Sequence, residues 1–179
     1  MSRKNNSLPD EQQASRIEML NRRLADTIDL QLQSRQAYWN VKGPNFISLR
    51  ELFDQVAKGG EEYADMIARR IVQLGGTAEG SAHTVAGRTS LDGYSLATAS
   101  GSSHIDVLAT ALTHFGRHAR YASEQATELQ DDDTADIFNA VVVRWKSASL
   151  FVICIKTIYQ EVRELGRAVR TIFLLRYIP

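Results

Sequence analysis

Cysteine, proline and long apolar runs are all scarce in this chain, and each scarcity narrows what it can be. One cysteine, Cys154, in 179 residues leaves no partner for an internal disulfide and suits a reducing compartment. Three prolines, at 9, 44 and 179, leave long uninterrupted stretches for helix. The strongly apolar run Leu150 to Ile155 is bounded by Lys146 and Lys156, well short of the roughly 20 residues a membrane helix needs. The first ten residues are polar with no apolar centre, so no secretory signal is expected. Net charge is missing too: 21 basic residues balance 21 acidic ones, which removes any global attraction to nucleic acid or membrane. Strand-like alternation, repeats and low complexity are not seen. The expectation is a soluble, cytoplasmic protein of one domain, large enough to bury a real core.

What is there is helical periodicity. Ile17, Leu20, Leu24, Ile28, Leu32 and Tyr38 recur at helical spacing from about Asp10 until Lys42-Gly43-Pro44-Asn45 breaks the run. A second helix is expected from Phe46 to Leu74, with Leu49, Leu52, Phe53, Val56, Tyr63, Ile67 and Ile71 along it. Gly59-Gly60 inside it costs roughly 1 kcal/mol per glycine relative to alanine, which points to a kink or a close helix approach. Gly75-Gly76 supplies a stop, and a Gly-, Ser- and Thr-rich stretch from Thr77 to Ser103 carries one short helix near Ser81 to Ala86. A third helix follows from about Ser103 to Leu129, with Ile105, Leu108, Leu112, Phe115 and Ala119 on one side. The run Asp131-Asp132-Asp133-Thr134 caps a fourth. Four long helices with one long crossover make an all-α protein resembling the ferritin-like four-helix bundle, its second-to-third-helix crossover carrying the short helix. The boundaries expected are an N-terminal tail over 1–12 that is flexible, the bundle over 13–165, and a basic, apolar tail over 166–179.

Several segments carry a more specific likeness: Gln36 to Phe46 (QAYWNVKGPNF), Glu51 to Asp54 (ELFD), Ile71 to Gly76 (IVQLGG), Thr89 to Tyr94 (TSLDGY) and Asp131 to Phe138 (DDDTADIF). In order and spacing they resemble the Dps family, small ferritin-like cages of bacteria that take up iron, over roughly residues 15 to 139. The resemblance implies a homo-oligomeric shell, a dodecamer, with ferrous iron oxidised at sites shared across two-fold interfaces. It also implies iron storage, protection from oxidative stress, and DNA as a partner.

Laid onto this chain, the family's two ligand histidines fall on Tyr38 and Arg50, its first aspartate on Asp54, and the neighbouring subunit's aspartate and glutamate on Asp65 and Arg69. Three of five positions have changed. The implied set carries −3 with neutral histidines, whereas here two carboxylates face two guanidiniums. Arginine stays protonated and cannot ligate metal. Arg50 lies four residues before Asp54 and Arg69 four after Asp65, so each can pair along its own helix. The expectation is a metal site retaining Asp54 and Asp65 in which ferrous oxidation is impaired, the bland reading of those aspartates being two salt bridges. Trp39 reads as interfacial core.

Asp131, Asp132, Asp133 and Asp136 have two readings: helix capping, or an acidic three-fold pore that draws cations inward. His114 and His118, four apart, read as a surface pair, and His83 and His104 suggest nothing specific. Between Ala140 and Pro179 seven basic residues face two acidic ones, +5, leaving −5 before residue 140. DNA binding would rest on Arg3 and Lys4 at one end or Arg163, Arg167 and Arg170 at the other, and it is weakly supported because few phosphates would be neutralised. The leading expectation is therefore an iron-storage shell with a weakened centre. The alternative is a structural or DNA-associated shell without iron oxidation.

Overall fold

In the computed structural model the described residues are 10–43, 46–95, 97–98, 100–145, and 152, 154, 156–157, 160–161 and 164–165. Four helices have described bounds at both ends: α1 (Asp10–Asn40), α2 (Phe46–Gln73), α3 (Ala82–Arg88) and α4 (Gly101–Glu128). A fifth, α5, is described over residues 132–145, and the isolated described residues beyond it are also helical. No strand occurs among the described residues, and no described helix is long and apolar enough to cross a membrane. α1 begins at Asp10, three residues inside the stretch expected as tail.

The boundaries follow from local chemistry. α2 ends in a Schellman motif: Gly75 takes φ +79°, its N–H reaches the Val72 carbonyl, and the Gly76 N–H reaches Ile71. Ser81 and Ser100 accept from Thr84 and Ser103 backbone N–H groups and so cap α3 and α4. α4 closes with the same two-bond pattern as α2, but the residue at φ +54° is Gln130, not glycine. The next residue, Asp131, already caps α5.

α2 and α4 bury the apolar positions expected of them. α1 departs from expectation. Leu32 is 51% exposed, and the core stripe instead runs Leu20, Leu24, Thr27, Leu30, Ser34 and Ala37, with Val41 just beyond the helix end. The hydroxyls of Thr27 and Ser34 bond the carbonyls four residues back (Arg23 and Leu30, 2.7 Å each), which lets two polar residues occupy core positions. Gly60 explains its own presence, since a Cβ there would lie 3.1 Å from Gln31 Cβ where α1 and α2 approach closely. Trp145 joins three helices, its ring 5.8 Å from Tyr63 of α2 and 5.2 Å from Phe115 of α4.

The crossover between α2 and α4 runs along α1. Gln13 donates to Leu74, Asn21 bonds both Thr77 and Glu79, Asp26 accepts from Ser90, and Gln33 donates to Asp92. Position rises on both sides, so the crossover is parallel to α1. α4 then returns antiparallel, with His118 beside Asp26 and Leu129 held by Arg16. This is the up-down-crossover-down-up order of a ferritin-like bundle.

Candidate functional site

Asp54, Arg50 and Lys58 share one face of α2 at steps of four, opposite Arg35 and Tyr38, three apart on α1. Asp54 is pulled between two cations: Arg35 Nη1 lies 2.5 Å from one carboxylate oxygen and Lys58 Nζ 2.7 Å from the other. The Lys58 hydrogen bond, with Arg35 beside it, holds the Asp54 carboxyl below its ordinary pKa against the opposing pull of burial. Arg50 does not pair with Asp54 as its spacing suggested. Its guanidinium carbon sits 4.5 Å from the centre of the Tyr38 ring, and Arg35 stands 5.9 Å from the same ring. Asp65 and Arg69 do pair, at 2.6 Å, out in solvent.

Asp54 and Asp65 are eleven residues apart on one helix, about 16 Å at 1.5 Å per residue. One chain therefore cannot bring them together. Among the described residues no group of three or more His, Cys, Asp or Glu side chains is gathered closely enough to hold a metal ion. Trp39, read as interfacial core, is 65% exposed on the single chain, and Phe46 and Ile47 beyond the turn are exposed with it.

The acidic run divides. The Asp131 carboxylate faces inward: one oxygen accepts from the Thr134 N–H (3.1 Å) and Arg70 (2.6 Å), the other from the Thr134 hydroxyl (2.7 Å), with Arg16 Nε 3.9 Å away. Its pore reading does not fit this placement, because the side chain is 2% exposed and serves as cap and counter-ion. Burial would raise its pKa, but the Thr134 and Arg70 hydrogen bonds outweigh burial and hold it low. Asp132, Asp133 and Asp136 are exposed, Asp133 sharing Arg70 at 3.1 Å. A cleft of about 600 Å³ opens here, lined by Gln13, Arg16, Arg70, Gln73 and residues 130–133.

The histidines do more than expected. His118 Nδ1 lies 3.0 Å from the Ser90 hydroxyl and 3.7 Å from buried Asp26, linking α4 to the crossover and α1. Burial, with Arg23 nearby, lowers its pKa despite Asp26. His104 is fully buried, hydrogen-bonded to Tyr94 and edge-on to Phe53. Burial pushes its pKa down, against the Asn40 carbonyl, and pushes the Tyr94 phenol up to about 12. Arg3, Lys4, Arg163, Arg167 and Arg170 lie outside the residues whose side chains are described.

Sequence reasoning passed over Arg35 and Lys58. Lys58 was available as an Asp-to-Lys step of four, the favourable order on a helix. Arg35 lies 19 residues from Asp54 and is placed by how α1 registers on α2, which spacing does not reveal.

Residues 17–144 match the ferritin-like domain family. The DNA protection during starvation protein of Agrobacterium fabrum is 40% identical over 135 residues, 75% of this chain and 83% of that protein. Its namesake from Mycolicibacterium smegmatis is 31% identical over 122 residues, 68% of this chain and 67% of that protein. In solved structures, Mycobacterium smegmatis Dps superposes with a TM-score of 0.78 at 26% identity, over 85% of this chain and 92% of that one. A Dps homologue from Halobacterium salinarum reaches 0.80 at 21% identity, over 86% of each chain, a likeness of fold.

Proposed function

The chain belongs to the ferritin-like family and within it to the Dps proteins, and on that premise we propose that it builds a hollow cytoplasmic homo-oligomer, a dodecamer, protecting cells in starvation and oxidative stress by holding iron, with its inherited ferrous-oxidation centre closed. The observation that carries the closure is the occupancy of Asp54. Both carboxylate oxygens are taken by Arg35 and Lys58, and Arg50 stacks on Tyr38 where imidazoles would be needed. A ferrous ion would have to displace two cations from one carboxylate and enter a set with no nitrogen ligand. Exposed Trp39, Phe46 and Ile47, adjoining this face, offer the apolar surface that a second copy covers across a two-fold interface. Cations reach the interior past Asp132, Asp133 and Asp136, and oxidation follows on mineral already deposited or on active subunits sharing the shell.

The test adds ferrous iron anaerobically, then peroxide or air, and follows ferric absorbance. The comparison set is a protein-free control and the triple reversion Tyr38→His, Arg50→His, Arg69→Glu. Oxidation at the control rate, accelerated in the reversion, is the expected result. Rapid oxidation by the unaltered chain would sink the closure.

The basic last 40 residues favour a second reading, a DNA-associated shell without iron oxidation. Salt-sensitive retardation of DNA that disappears when the chain is cut after Leu165 would select it.

A further inference from the structure

We propose that Arg35 and Arg50, which both approach the Tyr38 ring, bind a phosphate-class oxyanion. The cluster is out of charge balance. Asp54 is shared between two cations, Arg35 and Lys58, and the third, Arg50, turns to the Tyr38 ring instead. Arg50 has no carboxylate partner among the described residues. Its contact is the Tyr38 ring face, 4.5 Å from the guanidinium carbon. A guanidinium lying on an aromatic face keeps its edge N–H donors available, and that planar fork matches two oxygens of a tetrahedral oxyanion. The second guanidinium, Arg35, approaches the same ring at 5.9 Å. Tyr38, Arg35, Arg50 and Asp54 are all half-buried, so the local charge is partly shielded from salt while an ion can still reach it.

The charged residues the shared-site arrangement would bring are Asp65 and Arg69, which already neutralise each other at 2.6 Å. A position that binds a cation in the family thus has, in this chain, the chemistry to hold an anion. The inference needs no iron and stands apart from the closure proposed above.

The measurement is calorimetric titration of the full-length protein, stripped of metal with a chelator, with inorganic phosphate at fixed ionic strength against chloride as the control. Saturable phosphate binding, weakened roughly tenfold in Arg50→Gln and less in Arg35→Gln with helix content unchanged, is expected, since each removes charge-assisted donors. No saturable binding, or affinity unchanged in both variants, overturns the site.

Discussion

Asp54 and Asp131 stand in the same electrostatic situation, one carboxylate between two cationic side chains, but at different depths. Asp54 is a quarter exposed, and Lys58, one of its partners, is largely in water. Asp131 is 2% exposed, Arg16 3% and Arg70 13%. At the surface a charge can be exchanged for another charge at little cost, because water takes up whatever is left over. Inside, each member is fixed by the others, since removing one strands the rest away from solvent. The difference separates a position free to acquire new chemistry from one held by the fold.

The sharpest way to break this contrast is Asp131→Ala. It deletes the α5 cap and leaves Arg16 and Arg70 facing each other, and should cost about 3–5 kcal/mol in urea unfolding, with loss of cooperative folding at the extreme. A cost near that of a surface pair would mean water enters the corner.

Acid provides a second cut. Both carboxyls are held below their ordinary value of 3.8, so their stabilisation is intact above about pH 4 and is lost as pH falls through the lower folded pKa. Stability measured from pH 5 to pH 2 should fall less steeply in Asp131→Asn than in the parent, while Asp54→Asn leaves the slope nearly as it was. The reverse ranking would overturn the contrast.

At neutral pH, Asp54→Ala should change stability by about 1 kcal/mol or less, the range of exposed pairs. The smallest effect belongs to the turn leading into Asp131. Gln130 holds φ +54° without being glycine, so Gln130→Gly should stabilise by roughly 0.5–1 kcal/mol, visible as a higher denaturation midpoint.

Legibility in the sequence follows the range of each interaction. The helix ends at Gly75 and Leu129, and the turn before Phe46, were readable because glycine, proline and capping residues act within a few positions. The buried stripes of α2 and α4 were readable because apolar residues dominate them, with His104 and Ser123 the polar exceptions on α4. α1 was misread at Leu32 because buried Thr27 and Ser34 interrupt the apolar pattern and satisfy their hydroxyls on their own helix. At the candidate site, Tyr38, Arg50 and Arg69 at positions where the resemblance implies ligands were visible, and so was the Asp65–Arg69 pair. The partners of Asp54 were not, since Arg35 arrives through helix register. Nor was the inward turn of Asp131, whose partner Arg16 lies at the other end of the chain. An acidic run looks like surface until the arginine that draws part of it inward is known.

The crossover, finally, has only the short α3 of its own and borrows its path from α1. Gln13, Asn21, Asp26 and Gln33 meet it in sequence along the helix, like successive teeth of a zip. A segment written on another element in this way cannot settle before that element exists, nor come away piecemeal while it persists. Its backbone amides, though they belong to a loop, should exchange with solvent on the timescale of α1 itself, making crossover and first helix a single cooperative unit.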